Sequence, residues 1–142
     1  MAQNHRYEEQ FLNLITSTQQ AYEARRTADY VGSFSDDYYS VQLHTDWGED
    51  KAGLSRRIAS DAERFELLGM DFEVLRTWFV EEMGFAHMRY VTRLRFRDTG
   101  RVLVDKRENL VTAGHRGKGC WELNGKIVLK AENFFEDERP DI

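Results

Sequence analysis

From Tyr7 to Arg26, Tyr7, Phe11, Leu14, Ile15, Thr18 and Tyr22 recur at three- and four-residue spacing, while Glu8, Glu9, Gln10, Asn13, Gln19 and Glu23 occupy the other side. That period predicts an amphipathic helix. A shorter helix is predicted over 27–35, with Tyr30, Val31 and Phe34 as its buried side, weakened by Gly32 and stopped by Asp36-Asp37. Residues 38–44 then alternate and are rich in β-formers, which predicts a strand, and 45–50 read as a loop. A third helix follows, on which Leu54, Ile58, Ala62 and Phe65 line one stripe and which Gly69 is placed to cap.

From Met70 onward the period is 2, predicting strands near 70–80, 85–97, 102–113 and 120–135, separated by Gly84, Thr99-Gly100 and Gly114 to Gly119. Helices first and a run of strands after them predict an α+β domain with an antiparallel or mixed sheet covered on one face. In the strand over 85–97, Met88, Tyr90, Thr92, Leu94 and Phe96 share the covered face; His87, Arg89, Arg93, Arg95 and Arg97 share the other. A three-residue turn at Asp98-Thr99-Gly100 would set Phe96 against Val102, Leu94 against Val104, Thr92 against Lys106 and Tyr90 against Glu108. The charged tail 136–142 is expected to fray.

A chain of 142 residues, 41% hydrophobic and 32% charged, has the length and composition of one folded domain spanning 1–142. It contains no apolar run of the roughly 18–20 residues that a membrane-spanning helix needs, and no signal-peptide pattern, so the expectation is a cytoplasmic protein without a membrane partner. The net charge of −5 argues against a nucleic-acid partner. Cys120, the single cysteine, reads as a packed or strand-borne thiol. The four histidines are widely spaced, with no ligand-spaced cluster, so neither a metal nor a cofactor is expected. The loop Gly114 to Gly119 lacks the spacing of a phosphate-binding loop and leads into a strand, which makes it a hairpin connection.

The stretch from Ala21 to Tyr38, a helix end followed by a short helix and an acidic pair before a strand, resembles the helix-to-strand junction of the NTF2-like superfamily. Asn124-Gly125-Lys126-Ile127-Val128-Leu129 is similar to its last-strand pattern. The superfamily includes SnoaL-like proteins and the small subunits of aromatic-ring-hydroxylating dioxygenases. The resemblance implies a cystatin-like cone, a curved sheet wrapped around helices with a pocket at its open end, assembling as a homodimer through the sheet. Its members include isomerases, dehydratases, cyclases and binding modules, so it does not by itself choose an activity. It implies either a protein that binds a hydrophobic small molecule, with isomerase, lyase or hydrolase chemistry open to it, or a non-catalytic assembly subunit.

Within such a cone the groups to examine are polar residues on inward faces: Tyr22, Gln42, His44, Arg76, Trp78, Tyr90, Thr92, Lys106 and Glu108. Each must be hydrogen-bonded or hydrated, because an unpartnered buried polar group costs about 1–3 kcal/mol. His44 is a candidate general base, and Glu108 and Tyr90 complete the candidate catalytic set. Tyr22, Gln42, Arg76, Trp78, Thr92 and Lys106 are candidate ligand contacts. Lys106 and Glu108 also read as a structural ion pair. Ketosteroid isomerases place an aspartate base where Gln42 stands here. Glutamine cannot take a proton, and Tyr22 lies near but not on their helix-one tyrosine, so no intact catalytic set carries over.

Overall fold

The structure, a computed structural model, describes residues 2–138. Its elements run α1 (Ala2–Glu23), α2 (Thr27–Gly32), β1 (Phe34–Gln42), β2 (Gly48–Asp50), α3 (Lys51–Arg64), β3 (Phe65–Val80), β4 (Met83–Phe96), β5 (Val102–His115), β6 (Trp121–Phe135) and a 3-10 turn (Glu136–Glu138). The α+β class holds, with three helices against a six-stranded sheet ordered β2-β1-β6-β5-β4-β3. Only β1 with β6 is parallel, which makes the sheet mixed. Bulges in β3 between Leu67 and Gly69 and between Val74 and Arg76, with two more in the β5–β6 pairing, give the sheet its curvature.

The closed end of this cone is an aromatic core. Tyr7, Phe11 and Ile15 of α1 and Leu54 and Ile58 of α3 meet Ala86, Met88, Ala113, Trp121 and Leu123 on the sheet. Phe11, with no exposed surface, packs edge-on to Phe79 and stacks on Trp121. Burying such a side chain stabilises the fold by roughly 1.5–3 kcal/mol. Gly84 makes this approach possible, since a Cβ there would lie 3.0 Å from the Phe79 ring and 3.1 Å from Phe11.

Several element boundaries differ from the periodicity, each for a local reason. Helix α1 ends at Glu23 because Arg25 turns left-handed (φ 61°), so Arg26 N–H donates to Ala21 O and Arg25 N–H to Tyr22 O. That pair of bonds is a Schellman closure with arginine in the place usually taken by glycine. Strand β1 starts at Phe34, so Asp36-Asp37 is exposed strand rather than a stop, and the expected loop contains β2. Asp50 caps α3 by accepting from Gly53 N–H at 2.8 Å. Of the predicted α3 stripe, Leu54 and Ile58 are buried, Ala62 is exposed, and Phe65 already opens β3. Gly69 sits at a bulge inside β3 and caps nothing. Residues 136–138 are held by Arg93 and Arg101 rather than frayed; 139–142 lie outside the described residues.

The predicted β4–β5 register is off by one residue. Phe96 N–H donates to Arg101 O, and Gly100 N–H to Phe96 O, closing a four-residue loop with Gly100 at φ 74°. Leu94 therefore opposes Leu103, Thr92 opposes Asp105, Tyr90 opposes Arg107 and Met88 opposes Asn109. A shift of one residue exchanges the two faces of a strand. The observed choice sends Ala113 and Val111 into the packed end and keeps Lys106 and Glu108 out of the deep core. On the outer face His87 meets Glu108 at 2.7 Å, Arg89 pairs with Glu73, Arg93 with Glu136 and Arg95 with Glu66.

Candidate functional site

Toward the open end, the helices and the sheet diverge around a chamber of about 370 Å³. Each side chain reaches it through the period of its own element. On α1, Gln19 and Tyr22 are one turn apart. On α3, Arg57 and Asp61 lie beside the buried Leu54 and Ile58. On β4 and β5, Tyr90, Thr92, Asp105 and Arg107 follow the inward alternation. Tyr30, Gln42, Arg64, Lys126 and Asn133 also belong to its polar wall, while Ile58, Phe65, Met70, Leu94 and Leu103 are among its apolar residues. A side cleft of about 340 Å³ shares Tyr22, Tyr30, Asp61 and Phe65 and continues to Arg97.

Below the chamber a recess of about 40 Å³ reaches the middle of the cone, bounded by Thr18, Tyr38, Met88, Tyr90, Asn109 and Lys126 among others. Its polar groups are poorly matched. Asn109, with no exposed surface, donates to the Tyr90 hydroxyl at 2.6 Å, and its Oδ1 has no partner. Turning the amide over exchanges which end is bonded but still leaves one bare. Thr18 Oγ1 and Tyr38 OH are likewise buried without a partner. In the chamber, Asp105 accepts from Arg107 Nε at 2.9 Å through one oxygen and leaves Oδ1 buried and bare.

The ionisable groups of the chamber perturb one another. Arg57 holds Glu49 through two hydrogen bonds of 2.9 and 3.1 Å and reaches Asp61 at 3.5 Å. Burial pulls the guanidinium down, but the bonds and charge of Glu49 outweigh it, leaving Arg57 above its ordinary value. Burial pushes Asp61 above the usual carboxylate range, against the opposing pull of Arg57 and Arg64. Tyr22 is raised by burial and by the Asp61 charge, and Tyr30 by burial, so both remain neutral hydrogen-bond donors. A half-buried carboxyl with a raised proton affinity beside neutral phenols is a chemistry suited to moving protons.

Of the residues proposed from sequence, Tyr22, Gln42, Tyr90 and Thr92 line the chamber. The others do not. His44 follows the end of β1 at φ 65° and is exposed. Lys106 and Glu108 are turned outward by the register, Glu108 to His87 and Lys106 over the Phe134 ring. The bulge at Leu75 reverses the phase of β3 after Val74, so Arg76 and Trp78 lie outside opposite His87 and Phe85, with Trp78 stacked on Phe85. Cys120 is exposed in the turn before β6. Tyr30, Arg57, Asp61, Asp105, Arg107, Asn109 and Lys126 were missed. The i, i+4 spacing of Arg57 and Asp61 beside Leu54 and Ile58 was a readable signal, and so was the alternation Asp105, Arg107, Asn109.

No protein-family model and no curated protein matches the sequence. Solved structures do match in shape. A conserved protein from Planctomyces limnophilus superposes with a TM-score of 0.81 at 13% identity, over 92% of this chain and 99% of its own. A ketosteroid isomerase-like protein from Erwinia carotovora atroseptica gives 0.70 at 14% identity, over 83% and 91%. An NTF2-like protein from Cytophaga hutchinsonii gives 0.69 at 9% identity, over 86% and 96%. The chain thus has the NTF2-like cone fold.

Proposed function

We propose that this protein binds a small amphipathic molecule in its cone and acts on it without a cofactor, by proton transfer of the kind an isomerase, lyase or hydrolase performs. The observation that carries the reading is the set of buried polar atoms without partners, Thr18 Oγ1, Tyr38 OH, Asn109 Oδ1 and Asp105 Oδ1, all on the cavity wall. Native structures satisfy such atoms, and a bound polar group does so here. In this reading Asp61 is the acid or base, favoured by its raised proton affinity. Tyr90, whose oxygen accepts from Asn109, keeps its own proton to donate to an oxygen that gains charge. The shape shared with a ketosteroid isomerase-like protein supports the reaction class by analogy of fold.

A thermal-shift screen with aromatic and alicyclic acids, alcohols and ketones tests this reading, because a ligand of the native state raises Tm by mass action. Stabilising compounds are then incubated with enzyme and followed for turnover. The expectation is that Asp61→Asn removes turnover while keeping binding, and Tyr90→Phe weakens both. A screen in which no compound stabilises the protein would end the reading.

The outer sheet face favours a homodimer. Tyr39, Val41 and Leu43 are exposed there, with Val41 opposite Ile127 and Ile127 opposite Leu110 across three strands. A second reading, a non-catalytic assembly subunit, rests on the same face. Size exclusion with light scattering separates the outcomes: a dimer that Val41→Lys dissociates supports self-association, and a monomer refutes it.

A further inference from the structure

The charges of the cavity are not distributed evenly. Arg57 is committed to Glu49 and Asp61, Arg107 to Asp105, and Arg64 lies over the Phe65 ring at the rim. Lys126 is different. It borders both the chamber and the recess, it has no carboxylate partner among the described residues, and no Asp or Glu lines the recess at all. Around it stand hydroxyls and an amide: Thr18, Tyr38 and Asn109 in the recess, each with an unpartnered buried atom, and Ser40, whose unpartnered Oγ is on the strand paired beside Lys126. The Tyr90 hydroxyl, already accepting from Asn109, has a proton to give.

From this arrangement we infer that the ligand of the cone carries a carboxylate, seated in the recess against Lys126 and the hydroxyls of Thr18 and Tyr38, with its apolar body in the chamber. The inference rests on the small-molecule reading above and narrows it to one substrate class. Lys126 and the bare hydroxyls of Thr18 and Tyr38 are all hydrogen-bond donors on one recess wall, to which a carboxylate is the complementary acceptor, and the Asn109 amide joins them when turned so that its Nδ2 faces the recess. A volume of about 40 Å³ admits a group of that size. The apolar body then lies toward Phe65, Leu94 and Leu103, with Asp61 at the other end of the molecule from the carboxylate.

The test compares matched pairs by calorimetry at about pH 7: hydrocinnamate, naphthoate and indole acetate against their primary amides, on the wild-type chain. The carboxylates are expected to bind roughly ten- to hundredfold more tightly, the range of a charge-assisted hydrogen bond. Lys126→Met should make acid and amide equal, and Lys126→Arg should preserve the preference. Amides that bind as tightly as acids, or a preference that survives Lys126→Met, would overturn the inference while leaving the pocket reading intact. If neither member of any pair binds, both readings fall. The wild-type comparison stands even if a Lys126 variant does not fold.

Discussion

Removing the Tyr38 hydroxyl should stabilise the empty protein. Tyr38 is 2% exposed, its ring packs edge-on to Phe34 at 4.7 Å, and its hydroxyl has no partner. Tyr38→Phe retains the ring and its packing and deletes only the oxygen. A buried hydroxyl left unsatisfied costs about 1–3 kcal/mol, whereas a satisfied one contributes about 1 kcal/mol net. The two situations give opposite signs for the same substitution. With part of the penalty relieved by the water that an open recess admits, the expected gain is about 0.5–1.5 kcal/mol. For a chain of this length that is a rise of roughly 2–5 °C in Tm.

Urea denaturation of both proteins, followed by tryptophan fluorescence, measures the difference directly. A midpoint that rises with an unchanged slope is the expected result. On the carboxylate binding proposed above, the same variant should lose part of the stabilisation that a carboxylate ligand gives the wild type, since the hydroxyl then has a partner to lose. A loss of about 1 kcal/mol or more in the empty protein would refute the reasoning. It would mean the hydroxyl is bonded in solution and the recess is already complete.

Three further outcomes follow from the same geometry. Arg57→Met leaves Glu49, whose side chain is 8% exposed, without its guanidinium; breaking a fully buried pair costs about 3–5 kcal/mol, and the 38% exposure of Arg57 reduces this to roughly 1–3 kcal/mol, read by urea denaturation. Because burial raises Asp61 in the folded state, the wild type gains stability relative to Asp61→Asn as pH falls through the folded pKa toward the unfolded value of about 3.9, and loses that gain as pH rises; Tm values of both proteins from about pH 7 to pH 4 check the sign, and the opposite slope would show that Arg57 dominates over burial. Gly84→Ala drives a methyl group into Phe79 and Phe11 at 3.0–3.1 Å and should cost about 1–3 kcal/mol, measured as a fall in Tm with an unchanged size-exclusion profile.

The elements were legible where a period ran for several turns or strand residues without interruption. Phe11, Ile15, Leu54 and Ile58 lie in the core as their spacing predicts, and the inward set Met88, Tyr90, Thr92 of β4 is observed. What could not be read is anything that depends on a single residue of phase. The loop after Phe96 holds four residues instead of three, and this one residue moved Lys106 and Glu108 outside and brought Asp105, Arg107 and Asn109 in. The single bulge at Leu75 did the same to Arg76 and Trp78, and a left-handed turn ended β1 before His44. Alternation along one strand fixes which residues share a face but not which face is covered. The site was therefore misread strand by strand. The candidate residues on α1, β1 and β4, Tyr22, Gln42, Tyr90 and Thr92, reached the chamber; those on β3 and β5 did not. A polar inner face was itself visible in Asp105, Arg107 and Asn109, because three polar residues at period 2 have to share a side. Reading that face as inward requires accepting buried charge, and only a cavity makes that tolerable. The fold could be inferred from residues that satisfy the rules of burial, whereas the candidate site consists of residues that break them, and periodicity carries no signal for such residues.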